Sequence, residues 1–128
     1  MLKGINKAKK QARKAIESLY DCTCNIYKYE KYKDPVTKET KTGINPIPKY
    51  ENQSCKVSKQ SISKNNQSDT TNNINYELKL FIAPELEIKQ GDIIEVTNAL
   101  SVKTKYEAGE GFPYYTHQEV ILNREDKA

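Results

Sequence analysis

YELKLFIAPELEIKQGDIIEV, residues 76–96, is the stretch that decides how this chain folds. Tyr76, Leu78, Leu80 and Ile82 alternate with Glu77, Lys79 and Phe81, and a period of two places the first set on one face of a β-strand. Pro84 has no amide proton to give to a ladder, so the strand is expected to end beside it. Leu86 and Ile88 open a second short extended run. Gln90-Gly91-Asp92 signals a turn, because Gly tolerates positive φ and Asp bonds its own backbone. Ile93, Ile94 and Val96 follow as a third strand. The stretch thus reads as a meander whose apolar face other segments must cover.

Upstream, residues 2–20 carry Leu2, Ile5, Ala8, Ala12, Ala15, Ile16 and Leu19 at spacings of three and four, the stripe of an amphipathic helix. The stripe is thin, since three of its members are alanines, and suits a helix lying on something flat or bridging to a neighbour. From Asp21 the period changes. Cys22, Cys24 and Ile26 alternate with Thr23, Asn25 and Tyr27, predicting a strand to about Tyr32. Residues 36–42 form a polar excursion, either a hairpin tip or a loop. Pro46 and Pro48 exclude the next residues from a central strand, and Tyr50–Ser58 is the next strand, carrying Cys55 and Val57.

Lys59–Asn75, KQSISKNNQSDTTNNIN, has only Ile62 and Ile74 as apolar members and cannot bury enough surface to fold by itself. Loops of this length in compact domains are usually functional. Downstream, Leu100–Tyr106 reads as a strand, AGEGFP (108–113) as a loop, and Thr116–Leu122 as a strand with Gln118, Val120 and Leu122 on one face. Asn123–Ala128 is a charged tail. One helix and six or seven short strands predict a mainly β fold, a small antiparallel β-barrel or sandwich with long polar loops. Residues 1–20 are the basic helix and 21–128 the barrel-like part of what reads as one domain.

Composition narrows the function classes. The chain has 128 residues, 30% charged and 36% hydrophobic, with a mean hydropathy of −0.86. Its net charge of +4 is unevenly spread. Residues 1–20 hold six Lys or Arg against Glu17 alone, a net of +5, which leaves −1 for the remainder. No apolar run approaches the ~20 residues of a membrane span. The basic start lacks the apolar region of a secretory signal. Three cysteines are too few, and odd in number, for a disulfide-stapled secreted domain, and a reducing compartment is expected.

Catalytic chemistry finds little support. Cys22-x-Cys24 with Cys55 and His117 lacks the spacing of a zinc knuckle, and cysteines on an inward strand face behave as small core hydrophobes. His117, the only histidine, has no evident cysteine partner for nucleophilic catalysis. No glycine motif for phosphate is present. The carboxylate pairs Asp92/Glu95 and Glu107/Glu110 read as solvated charges. The expectation is a protein without catalytic, metal or cofactor residues. Two polar segments remain as candidate interaction sites. The first is the basic helix, with Lys3, Lys7, Lys10, Arg13 and Lys14 as a partner- or DNA-facing set, since clustered cations give sequence-independent affinity for phosphates. The plainer reading is a solvated helix face. The second is the polar stretch, with Lys59, Ser61, Lys64, Asn65, Asn66, Thr70 and Asn72 as an assembly or channel set, and residues 33–48 as its alternative.

An ordered set of short motifs carries a family likeness. Ala15-Ile16-Glu17-Ser18-Leu19-Tyr20 leads into the Cys22 strand with Tyr27. Tyr50 and Cys55 follow, then the Ser/Asn/Thr-rich stretch, Leu80-Phe81-Ile82-Ala83-Pro84, Ile88-x-x-Gly91, and Thr116-His117-Gln118-Glu119. Over about residues 15–122 the chain resembles the small minor capsid, or head-closure (stopper), proteins of tailed phages and prophages of Gram-positive bacteria. The resemblance implies a virion neck component assembled in the host cytoplasm. It would form a ring of about 6 or 12 copies between the portal or adaptor and the tail terminator or completion protein. It would retain packaged double-stranded DNA without reading its sequence. The rival class is a non-catalytic nucleic-acid-binding barrel of the OB type, which stacks bases on exposed aromatics in a basic groove.

Overall fold

The computed structural model describes residues 2–62 and 75–124, with side chains for 7–60 and 77–124. Helix α1 spans Leu2–Glu17. Eight strands follow: β1 (Cys22–Tyr27), β2 (Tyr29–Lys33), β3 (Thr40–Ile44), β4 (Tyr50–Ile62), β5 (Asn75–Ile82), β6 (Ile93–Thr97), β7 (Lys103–Pro113) and β8 (Gln118–Arg124). Six of them close a wholly antiparallel barrel in the order β1-β4-β5-β8-β7-β6, with β6 returning to β1. Strands β2 and β3 pair only with each other.

Alternation fills the interior. Cys24 and Ile26 of β1, Cys55 of β4, Leu80 and Ile82 of β5, Ile94 and Val96 of β6, Ala108 of β7, and Val120 and Leu122 of β8 are all buried. The set is mostly β-branched or short, which suits the narrow lumen of a six-stranded barrel. Two irregularities bend the wall. The β1–β4 register shifts between Cys24 and Ile26. There Asn52 takes φ +52°, which asparagine tolerates, and its amide donates to Asn25 Oδ1 at 2.9 Å. The β7–β8 register shifts between Ala108 and Gly111. A Cβ on Gly109 would lie 3.2 Å from the Ile121 carbonyl oxygen, so a side chain at this bulge would crowd the neighbouring backbone.

Several sequence expectations are corrected here. Residues 76–96 do not form a meander: β5 pairs with β4 and β8, whereas β6 pairs with β1 and β7. The extended run at Leu86 and Ile88 is not a strand. These residues lie in the β5–β6 connection and pack against the core. AGEGFP is not a loop but the bulged second half of β7. The first strand breaks at Lys28 instead of running to Tyr32, and β4 continues through Ile62, into the stretch read as a loop.

Strands β5 and β6 sit three places apart in a ring of six, on opposite sides of the barrel. Their connection must therefore cross the barrel mouth, and it does so as a lid. Leu86 and Ile88 face the core. The buried Gln118 side chain donates to the Ala83 carbonyl at 2.8 Å and to the Leu86 carbonyl at 2.7 Å. The Glu87 amide donates to the Tyr50 hydroxyl at 3.2 Å. The β1–β4 and β7–β8 connections share this lidded end; β4 leaves for β5 at the other.

Candidate assembly surfaces

The lidded end gathers most of the distinctive chemistry. Beneath the lid lies a buried ion pair. Lys28 is 4% exposed and Asp92 1%. Lys28 Nζ donates to Asp92 Oδ2 at 2.5 Å and to the Glu87 carbonyl at 3.0 Å. Asp92 also accepts the Lys89 amide at 2.8 Å and the Tyr29 amide at 3.0 Å. Every charged group of the pair is thus satisfied, the condition under which a buried pair is tolerated. It was missed in the sequence, although the signal was there. Lys28 continues the inward phase of Cys24 and Ile26, and Asp92 begins the inward phase of Ile94 and Val96. These are the phases that β1 and β6 pair in register, Cys24 with Val96 and Ile26 with Ile94.

From this anchored point the β2–β3 arm leaves the barrel. The Asn45 amide closes its base on the Lys28 carbonyl at 2.9 Å. Its tip is organised by Asp34, which accepts the Val36 amide at 2.8 Å and the Thr37 amide at 3.1 Å and pairs with Lys41 at 2.9 Å. These contacts, Lys41 first, hold the Asp34 carboxyl down at about 2. Val36 at the tip is 86% exposed, and Tyr29 is exposed near the root. The excursion is therefore a hairpin arm, built on the alternative segment 33–48 and beginning four residues before it.

Helix α1 is largely exposed and lies against the lidded end. Two contacts fasten it there. The Arg13 guanidinium makes a two-pronged pair with Glu85 of the lid, one prong at 2.8 Å, and its Nε donates to Glu17 at 3.0 Å. Lys9 Nζ sits 3.8 Å from the centre of the Tyr115 ring, in the β7–β8 turn. Tyr115 is 80% exposed. Beside it, Tyr114 stacks on His117 at 5.0 Å, and Phe81 meets that imidazole edge-on at 5.3 Å. His117 is bonded through Nε2 to Glu119 at 3.0 Å and through Nδ1 to Thr116 at 2.9 Å. At the helix C-terminus, burial, then the Glu17 charge, push the Tyr20 phenol up to about 12.

The sequence-predicted sites divide as follows. Lys7, Lys10 and Lys14 are exposed on α1, and Arg13 is turned to the lid. Lys3 lies on the same helix, its side chain outside the described residues. Lys59 is exposed on β4 and Ser61 belongs to that strand. Lys64, Asn65, Asn66, Thr70 and Asn72 lie outside the described residues. The three thiols lie in or beside the barrel core, with Cys24 and Cys55 buried and Cys22 half-buried. Burial, then a hydrogen bond with Asp21, push the Cys22 thiol up to about 11; contact with Cys24, then burial, raise Cys55. Among the described residues, no three or more His, Cys, Asp or Glu side chains are grouped to hold a metal ion.

No family model and no curated protein matches the sequence. Among solved structures the chain is similar to protein xkdH of the phage-like element PBSX from Bacillus subtilis. The two are 16% identical, with a TM-score of 0.49, over 82% of this chain and 95% of that one.

Proposed function

We propose that this protein is a non-enzymatic structural subunit of the neck of a tailed phage, a head-closure ring component between portal or adaptor and tail. The observation that carries the reading is architectural. The barrel lumen is filled by its own side chains and lidded at one end. Its chemistry therefore lies on the outside, in an arm and a helix whose described side chains contribute none of the buried core. Such appendages on a filled barrel suit contacts with neighbouring subunits better than turnover of a small molecule. The ordered motifs from Ala15 to Glu119 select the neck among possible assemblies. In this reading the arm reaches neighbours or the channel, and the proposed partners are further copies of this chain, the portal or adaptor, the tail completion protein and packaged duplex DNA.

The OB-type reading draws on the exposed Tyr114 and Tyr115 beside Lys9. It ranks second because the outer barrel wall mixes Lys56, Lys79, Glu77 and Glu119 and forms no basic groove. Heads assembled without this protein should fill with DNA but leak it or fail to join tails. Heads that keep their DNA and accept tails normally refute the proposal. Mass measurement of the purified protein with and without the upstream ring reports the copy number.

A further inference from the structure

The cations of α1 fall into two groups with different fates. Lys9 and Arg13 are spent on the barrel, against Tyr115 and Glu85. Lys7, Lys10 and Lys14 are exposed, and no acidic side chain of the described residues forms an ion pair with them. At about 100° per residue, Lys7, Lys10 and Lys14 fall within a sector about 60° wide, with Arg13 roughly 90° from its centre. The struts at Lys9 and Arg13 thus fix the roll of the helix and leave this line of lysines on its exposed flank, about a quarter-turn from the barrel contact. The line covers about 10 Å of helix axis.

Three features name the partner. The first turn has no acidic residue, so the positive end of the helix dipole adds to the lysine field. Like charges one turn apart, Lys3–Lys7 and Lys10–Lys14, weaken the helix unless an anion lies alongside. The residues flanking the line are Asn6, Gln11 and Glu17, so this face has no apolar member. A protein interface needs an apolar centre. Contact with a nucleic-acid backbone does not, because duplex DNA presents a charge every ~1.7 Å of its axis and phosphate contacts position without reading bases.

We propose that the Lys7-Lys10-Lys14 line of α1 is a sequence-independent binding site for the phosphate backbone of duplex DNA. This deepens the neck reading by assigning the DNA contact to the helix. It is tested on purified protein and bare duplex, so that the two stand or fall separately. Fluorescence anisotropy with two unrelated duplexes of about 20 base pairs, titrated from about 50 to 200 mM salt, should give equal affinities. The log–log salt slope should be about −3 to −4, a loss near a hundredfold across that range. The Lys7→Gln/Lys10→Gln/Lys14→Gln variant, its helix content verified by circular dichroism, should lose about three units of that slope. Lys103→Gln/Lys105→Gln, exposed on β7, should leave the slope unchanged. Absence of binding by the unaltered protein at about 50 mM salt and 100 µM protein, where non-specific binding is measurable, overturns the proposal. So does wild-type binding by the triple variant, or a marked preference between the duplexes. Heads that leak DNA without this protein, combined with no duplex binding, would refute the lysine line and leave the neck reading in place.

Discussion

Replacing Asp92 with Ala should be among the most damaging single changes in the barrel. The carboxylate accepts Lys28 Nζ at 2.5 Å, the Lys89 amide at 2.8 Å and the Tyr29 amide at 3.0 Å. Its loss leaves the ammonium of Lys28, a residue 4% exposed, with the Glu87 carbonyl as its remaining hydrogen-bond partner. An uncompensated buried charge costs about 3–5 kcal/mol, and each orphaned backbone amide adds about 1 kcal/mol or more. A total of about 5–7 kcal/mol is expected, close to the whole stability of many domains. Lys28→Met leaves both amides bonded to the carboxylate and should cost less, about 3 kcal/mol. In the Lys28→Met/Asp92→Ala double variant the stranded charge is gone, and the cost should fall short of the sum by about 2–3 kcal/mol. Urea unfolding followed by circular dichroism, with tyrosine fluorescence as a second probe, measures all three; at about 4 °C per kcal/mol for a domain of this size, thermal midpoints should follow the same order. Additive single costs, or an Asp92→Ala penalty under about 1 kcal/mol, would refute the claim that the pair closes the mouth.

Three further outcomes are expected. In native protein at pH 8 the cysteines should react slowly with a thiol reagent, because Cys24 and Cys55 are buried and the Cys22 thiol sits near 11; all three should react once urea unfolds the barrel, and rapid native labelling would contradict the packing. The Asp34 carboxyl is held below its ordinary 3.8, so its contribution to the arm tip is complete above that value and lost as pH falls towards about 2; the Val36 and Thr37 amide resonances should be constant from pH 7 to about 4 and shift only below, and a transition near pH 6 would refute the assignment. Replacing residues 30–43 of the arm by a short turn should change barrel stability by less than about 1 kcal/mol while abolishing self-assembly, because β2 and β3 share a ladder only with each other, Tyr29 and its bond to Asp92 are kept, and an isolated hairpin adds little; collapse of the barrel would show that the arm belongs to the core.

Much of the fold was legible where one period held. Leu78 to Ile82, Ile94 with Val96, and Val120 with Leu122 each give the inward face of the strand they occupy. What the pattern could not supply was pairing, since period two fixes a face but not a neighbour. The chain order β5, lid, β6 invited a meander, and the barrel separates those strands. AGEGFP failed for a different reason. Its glycines mark close backbone approach at a bulge rather than a turn, and local composition does not distinguish the two. The polar excursion at residues 36–42 left a hairpin tip open as one reading but not that the arm would stand apart from the barrel, which depends on the break at Lys28. The division of α1 between strut and outward lysines was half legible. The helical wheel groups Lys3, Lys7, Lys10 and Lys14, but only the contacts at Glu85 and Tyr115 show which way that group faces.

Polar residues on inward phases are usually read as errors in a core pattern, and three of them, Lys28, Asp92 and Gln118, sit together at the lidded mouth. Their presence follows from the topology. A connection between opposite strands must lay its backbone across a buried opening, and each buried amide or carbonyl then needs a partner. Leu86 and Ile88 supply the apolar cover, but they cannot satisfy the Ala83, Leu86 and Glu87 carbonyls or the Lys89 amide. Gln118 takes the first two, Lys28 the third and Asp92 the last. A well-packed apolar pair at positions 28 and 92 would match the ion pair in desolvation terms, yet would strand the Glu87 carbonyl and the Tyr29 and Lys89 amides. Because the Tyr29 amide is the first donor of the arm, the contacts that seal the lid also fix the direction in which the arm departs. Lid and arm are therefore joined through Asp92, which bonds the Lys89 amide of the one and the Tyr29 amide of the other.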